Sequence, residues 1–93
     1  MPHLGWQAET VKLTSLDRPE AECYGRVADE RGARIRLLIT RRLPAGDSVQ
    51  IDGPGFLVLG EVCYCEPAGA EYEAYIKVTH VAPDSYLLPA KST

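Results

Sequence analysis

The chain has 93 residues, of which 45% are hydrophobic and 25% charged, and its formal net charge at pH 7 is −3. A chain of this length forms one domain with a modest core, because it buries only about 60–70% of its unfolded surface. The acidic balance argues against a dedicated nucleic-acid binder, since such a domain is usually basic.

In chain order the sequence predicts short strands separated by polar turns, and no amphipathic helix of ten residues or more. The predicted strands cover residues 8–13, 21–28, 33–40, 47–52, 56–66 and 72–81. A weakly structured lead over 1–7 precedes them, a polar loop over 14–20 follows the first strand, and a short tail over 82–93 ends the chain. Turn signals about every dozen residues are typical of an all-β meander. A small closed or nearly closed barrel hides the strand edges of such a meander.

Two turn-prone segments flank the third predicted strand. The segment DERG over 29–32 is interpreted as a solvated turn, and its adjacent carboxylates as turn residues rather than an acid/base pair. The segment LPAG over 43–46 places proline and glycine where a type I turn favours them. Between the two, apolar residues alternate with mostly polar ones, which predicts a buried face and a solvated face. The predicted buried residues are Ile35, Leu37 and Ile39.

The longest strand is predicted over 56–66, which is rich in aliphatic, aromatic and cysteine residues and lies between glycine- and proline-rich turns. Gly60 in its middle would weaken a flat strand, so we predict a bulge or a tight bend there. Simple alternation predicts two faces. One face carries Val58, Val62 and Tyr64, and the other carries Leu59, Glu61, Cys63 and Cys65.

Several short pieces of the chain, taken in order, resemble the PilZ domain. They are GRVADERGA over 25–33, the alternating strand that follows, LPAGDSVQI over 43–51, LGEVCYCEP over 59–67 and YEAYIKV over 72–78. The resemblance extends from Cys23 to Val81 and rests on the order and spacing of these pieces. It implies an all-β domain over 1–93, a six-stranded antiparallel β-barrel with its core at about 8–81. It also implies a regulatory or interaction module rather than an enzyme.

The motifs with which PilZ domains bind cyclic di-GMP are altered here. The resemblance implies an Arg-x-x-x-Arg segment on the lead and an [Asp/Asn]-x-Ser-x-x-Gly turn between strands. If Gly32 is the final glycine, Val27 replaces the first residue of that turn motif, and Asp29 replaces the serine and would repel a phosphate. Arg18 is the one candidate for the first arginine, and Glu22 stands where the second is expected. We therefore predict that cyclic di-GMP binding is lost or altered.

The arginines are concentrated in one part of an acidic chain. Six of the seven lie between residues 26 and 42, namely Arg26, Arg31, Arg34, Arg36, Arg41 and Arg42. Because a guanidinium group pairs with carboxylates and phosphates through two parallel hydrogen bonds, this patch suits an anionic ligand or an acidic partner surface. The alternative is that these arginines form the solvated face of a strand and protect its edge from aggregation.

The cysteines and histidines do not form a recognisable metal or catalytic motif. Cys63 and Cys65 are predicted to share one strand face, with Cys23 on a neighbouring strand and His3 or His80 as further zinc ligands in principle. The knuckle spacing of zinc sites is missing, so we interpret the cysteines as reduced thiols in ordinary packing. No nucleophile elbow or glycine-rich phosphate loop is present, and we predict neither an enzyme nor a cofactor.

The sequence thus predicts a non-enzymatic module that binds a protein partner in bacterial signalling or motility. The candidate binding residues are Arg18, Arg26, Asp29, Arg31, Gly32 and Arg34. One alternative is an atypical cyclic di-GMP receptor that uses Arg18 and Arg26, with Gly32 allowing close backbone approach. A second is an oligonucleotide-binding barrel that combines tyrosine faces with the same arginines, although the charge makes nucleic acid the weaker prediction.

A cytoplasmic location without membrane insertion is expected. No apolar run is long enough to span a bilayer. The first ten residues lack the basic and apolar regions of a signal peptide.

Overall fold

The structure, a computed structural model, describes residues 4–18, 20 and 22–83. Its strands are β1 Thr10–Ser15, β2 Glu22–Arg31, β3 Arg34–Ile39, β4 Ser48–Gly53, β5 Phe56–Ala68 and β6 Glu71–Pro83. Each strand pairs antiparallel with both neighbours in the ring order β1-β2-β3-β6-β5-β4, which closes the sheet into a barrel. The predicted six-stranded antiparallel β-barrel is therefore confirmed. The described part of the chain contains no helix that is long and apolar enough to cross a membrane.

The barrel interior is filled by the apolar residues that alternate along the strands. The predicted inward residues Ile35, Leu37 and Ile39 are fully buried, as are Ile51 on β4 and Ile76 on β6. Each alternating strand points one set of side chains into the barrel and the other set outward, because side chains repeat every two residues. Outward residues of neighbouring strands therefore form rows across the barrel surface.

The second strand is longer than the sequence predicted. A register shift between Val27 and Asp29 leaves Ala28 as an extra residue, and β2 then continues to Arg31. Residues 29–31 are therefore strand and not turn, which corrects the prediction. The turn is a two-residue connection, with Gly32 at φ 55° as its first residue. A positive φ at Gly32, with no positive φ at the second turn residue Ala33, is the pattern of a type II′ hairpin turn.

The pairing of β5 with β6 contains two irregularities. The first lies between Leu59 and Gly60, as predicted, but the extra residue is Thr79 on β6, so the bulge belongs to the partner strand opposite Gly60. The second, between Val62 and Tyr64, makes Cys63 an extra residue and reverses the alternation after it. As a result Cys65 is buried while Cys63 and Tyr64 are exposed, so the predicted faces beyond Val62 are wrong.

The described part of the N-terminal lead, residues 4–7, is packed through Leu4 and Trp6 and is not weakly structured. Trp6 is fully buried, and its indole Nε1 donates a hydrogen bond to the Pro54 carbonyl oxygen at 2.9 Å. A side chain at Gly53 would lie 2.6 Å from the Trp6 ring, so a glycine is required where β4 passes beneath it. The Glu30 carboxylate accepts the backbone N–H groups of Leu4 at 2.5 Å and Trp6 at 3.1 Å. We refer to Leu4, Trp6, Glu30 and Gly53 as the plugged end of the barrel.

Smaller differences concern the connections. The first strand includes Thr14 and Ser15, which the sequence assigned to a loop. The turn before β4 lies one residue later than predicted, because the Asp47 N–H bonds the Pro44 carbonyl oxygen at 3.3 Å. The predictions for His3, for Ala21 as the start of the second strand and for the tail beyond residue 83 lie outside the described residues.

Candidate binding surface

The outer face of β2, β3 and β6 carries a row of cations at one end. Arg31 on β2 lies opposite Arg34 on β3, and Arg34 lies opposite Lys77 on β6. All three side chains point outward and are exposed. Glu61 on β5 lies opposite Lys77 and continues the row. We refer to Arg31, Arg34 and Lys77 as the cation row.

Only one end of the cation row is paired with a carboxylate. Arg31 Nε lies 3.2 Å from Asp29 Oδ2, and 83% of the Arg31 side chain is exposed. Neither Arg34 nor Lys77 forms an ion pair with any described residue. Arg34 and Lys77 are therefore the cations of the row that have no carboxylate at ion-pair distance among the described residues.

A pair of stacked tyrosines lies beside the cation row. Tyr75 on β6 lies directly opposite Tyr64 on β5, with the ring centroids 5.2 Å apart and the planes at 6°. The Arg34 guanidinium lies over the Tyr75 ring, with Cζ 5.8 Å from the centroid, which is a cation–π distance. We refer to Tyr64 and Tyr75 as the tyrosine stack.

The residues around the tyrosine stack affect the protonation of Arg36 and Tyr64. Arg36 on β3 lies opposite Tyr75, and its Nη1 donates to Glu73 Oε2 at 3.0 Å. This hydrogen bond raises the pKa of Arg36, so the guanidinium stays charged. Desolvation and then the carboxylates of Glu73 and Glu66 raise the pKa of Tyr64. The phenol therefore remains neutral and available as a hydrogen-bond donor at physiological pH.

Arg18 and Arg26, which the cyclic di-GMP alternative requires together, lie at opposite ends of β1. Arg18 lies three residues beyond Ser15, the last residue of β1, and its guanidinium pairs with nearly buried Asp47. The Ser15 hydroxyl donates to the same Asp47 carboxylate at 3.2 Å and accepts the Arg18 backbone N–H at 3.0 Å. Arg26 instead lies opposite Thr10 at the start of β1. A strand rise of about 3.3 Å per residue separates the two by roughly 15 Å.

The other candidate residues lie around the far end of β2. Arg31 and Arg34 form the cross-strand pair that encloses the turn at Gly32, and Asp29 lies on the same outer face. Arg26 is also exposed on β2 but lies opposite Leu38, roughly 15 Å along the strand from Arg31. The structure thus brings together Asp29, Arg31, Gly32 and Arg34, and leaves Arg18 and Arg26 apart.

Sequence reasoning did not assign Lys77 to this surface, and it considered Tyr64 and Tyr75 only as members of the tyrosine faces of the oligonucleotide alternative. The alternation of β6 does predict Tyr75 and Lys77 on its outer face, which is confirmed. Their position beside Arg34 depends on the pairing of β3 with β6, and these strands are distant in the sequence. Tyr64 faces outward only because Cys63 is an extra residue in β5.

The cysteines do not share one face. Cys23 and Cys65 are buried, Cys63 is exposed, and all three are free thiols. Burial raises the pKa of the Cys23 thiol, while nearby Arg41 lowers it by a smaller amount. Cys65 Sγ accepts the Leu43 backbone N–H at 3.5 Å. Among the described residues no three histidine, cysteine or carboxylate side chains are grouped as metal ligands would be.

Comparison with known proteins adds no family name to this barrel. No family model, curated protein or solved structure matches the chain. The PilZ resemblance therefore rests on the sequence pieces given above.

Proposed function

We propose that this chain is a non-enzymatic, PilZ-like interaction module that binds a protein partner in the bacterial cytoplasm, in signalling or motility. The contact surface is the outer face of β2, β3, β6 and β5. The observation that carries the proposal is the cation row beside the tyrosine stack, with Arg34 common to both.

The composition of this face supports a protein partner. Arginine and tyrosine are enriched among the residues that dominate the binding energy of protein interfaces. Tyr64 is 37% exposed and is held by Tyr75, so it can be covered by a partner with little loss of side-chain freedom. All these side chains stand on paired strands of a closed barrel, which hold them more rigidly than loops do.

Cyclic di-GMP binding is the first alternative, and the geometry gives it less support. The Arg18 guanidinium already pairs with Asp47, and Arg26 lies at the other end of β1. Val27 is 1% exposed and points into the barrel, so it has no polar group to offer a guanine. We expect no heat of binding when cyclic di-GMP is titrated into the protein, with GTP as the control. Saturable binding of the dinucleotide alone would instead identify an atypical receptor.

Oligonucleotide binding is the second alternative, and the tyrosine stack favours it. Bases stack on aromatic rings and the phosphate backbone follows basic grooves in barrels that bind single strands. Here the cations are interspersed with Asp29, Glu61 and Glu73 on the same face. Such a mixture suits a protein surface better than a continuous phosphate backbone.

The proposed function is tested by identifying the partner through Cys63. This exposed thiol lies next to Tyr64, whereas Cys23 and Cys65 are buried, so a maleimide photocrosslinker reacts selectively there. The captured protein is then purified, and its affinity is measured for the wild type and for Arg31→Ala combined with Arg34→Ala. A matched control, Arg41→Ala combined with Arg42→Ala, removes the same charge beyond the other end of β3. We expect the first variant to lose most of the affinity and the control to keep it. Equal affinity of the wild type and the first variant would overturn the proposal.

A further inference from the structure

The side chains of the cation row repel one another because they carry like charges. Adjacent strands lie about 4.8 Å apart, and like charges directly opposite each other destabilise a sheet. Arg34 has a cation opposite it on both sides, Arg31 on β2 and Lys77 on β6. Asp29 relieves the Arg31 end, and Glu61 lies opposite Lys77 without reaching ion-pair distance. An anion bound over the row would relieve this repulsion.

We propose that the cation row and the tyrosine stack together bind an acidic segment of the partner protein. Carboxylates of the segment contact Arg31, Arg34 and Lys77, and an aromatic or apolar side chain packs on Tyr64. This inference rests on the proposed function and names the chemistry of its partner.

Arg34 is oriented in advance for such a ligand. Its guanidinium lies over the Tyr75 ring, which restricts the side chain before binding. A guanidinium at cation–π distance from a ring still has N–H groups free to donate to a carboxylate through two parallel hydrogen bonds. Less side-chain freedom is then lost when the ligand binds.

The flanking carboxylates favour an acidic peptide over a nucleic acid. Asp29 and Glu73 are paired with Arg31 and Arg36, and Glu61 lies at the end of the row. A phosphate backbone has a negative charge at every nucleotide and would pass over these groups. A peptide can place its carboxylates opposite the cations alone, with neutral residues over the acidic positions.

The test uses a synthetic peptide with four acidic residues around one tryptophan and a fluorescein label, measured by fluorescence anisotropy. The variant combines Arg34→Gln with Lys77→Gln, and the control combines Arg41→Gln with Arg42→Gln. Both remove two exposed positive charges, so the net charge of the two proteins is the same. We expect the first variant to bind about tenfold more weakly than the wild type, and the control within about twofold. Binding should weaken with added salt, and Tyr64→Ala should weaken it without changing that salt dependence.

Several results would overturn the inference. They are an absence of peptide binding at low ionic strength, equal weakening by the two double variants, and stronger binding of an oligothymidylate with the same net charge. The measured affinity for the partner protein distinguishes a failure of this inference from a failure of the proposed function. If Arg31 and Arg34 are needed for the partner but the peptide does not bind, only the acidic chemistry is wrong. If the peptide binds the row but the partner does not need it, the proposed function is wrong.

Discussion

Near the end of β2, the charged residues on its inner and outer sides have different roles. On the inner side, Glu30 is directed toward the barrel and accepts the N–H groups of Leu4 and Trp6. On the outer side, Arg31 is 83% exposed and lies in a row of like charges. The plugged end is therefore a site where polar groups are satisfied and hold the fold together. The cation row is a site where charge is left available, which is the pattern expected of a binding surface.

This difference teaches that consecutive residues of one sequence segment can have unrelated roles. Asp29, Glu30 and Arg31 are three polar residues that the sequence presents as a solvated turn. The bulge at Ala28 sets which of them point inward. Substitutions on the two sides should therefore affect stability and binding separately.

The largest effect is expected at the plugged end. Trp6→Ala should lower the free energy of unfolding by about 3–5 kcal/mol, because it removes a fully buried indole and leaves a cavity above Gly53. Urea unfolding followed by circular dichroism measures the change. As a control, Tyr24→Ala removes an aromatic ring that is 58% exposed and should cost less than about 0.5 kcal/mol. Similar losses for the two variants would show that the lead does not plug the barrel.

The two adjacent carboxylates provide the sharpest form of the comparison. Glu30→Ala should lower the free energy of unfolding by about 1.5–3 kcal/mol in total, because the backbone N–H groups of Leu4 and Trp6 lose a charged acceptor. Asp29→Ala removes an exposed ion pair with Arg31 and should cost at most about 1 kcal/mol. The urea unfolding midpoints of the two single variants show which substitution causes the larger loss of stability. A larger loss for Asp29→Ala would contradict the assigned inner and outer faces.

A smaller gain is expected where the lead turns into β1. Ala8 has φ 70°, a left-handed conformation that costs an alanine more than a glycine. Ala8→Gly should therefore raise the free energy of unfolding by about 0.5–1 kcal/mol, as measured by the urea midpoint. Ala45→Gly, at an exposed position without a positive φ, should lower it by a similar amount. A loss of stability in Ala8→Gly would show that the turn at residues 6–9 differs in solution.

The smallest effect concerns the salt dependence of the cation row. In the wild type, added salt should stabilise the fold slightly, because it screens the repulsion of Arg34 by Arg31 and Lys77. In Arg34→Glu the same cross-strand pairs become attractive, so added salt should destabilise the fold relative to the wild type by less than about 1 kcal/mol. Unfolding curves at low and high sodium chloride measure this, with Arg42→Glu as the control. The same salt response in all three proteins would mean that Arg31 and Lys77 do not repel Arg34 measurably.

Most of the barrel could be predicted from the sequence because the strand signal is local. Alternation of apolar and polar residues identifies the buried face of β3, and Gly60 indicates where the pairing of β5 with β6 becomes irregular. Arg31 and Arg34 were predicted as binding residues, and they do lie side by side across a two-residue turn. That contact is short-range along the chain, which is why a sequence argument reaches it.

The remaining features of the surface depend on contacts between distant segments. Arg18 and Arg34 look alike in the sequence. In the structure, however, Arg18 pairs with Asp47, whereas Arg34 lies over the Tyr75 ring. Nothing local marks the extra residue Cys63, which turns Tyr64 outward, or the glycine beneath Trp6. Each of these requires the register between strands, and a shift of one residue exchanges the two faces.

The sequence by itself therefore determined the number and order of the strands, most of their buried faces and the all-β barrel, because hydrophobic alternation repeats every two residues along a single strand. The tertiary structure decided which outward residues become neighbours, which carboxylate binds the lead and which arginines pair with carboxylates. These outcomes follow from bulges and from strand pairing across the closed ring, where one extra residue changes the orientation of every side chain after it.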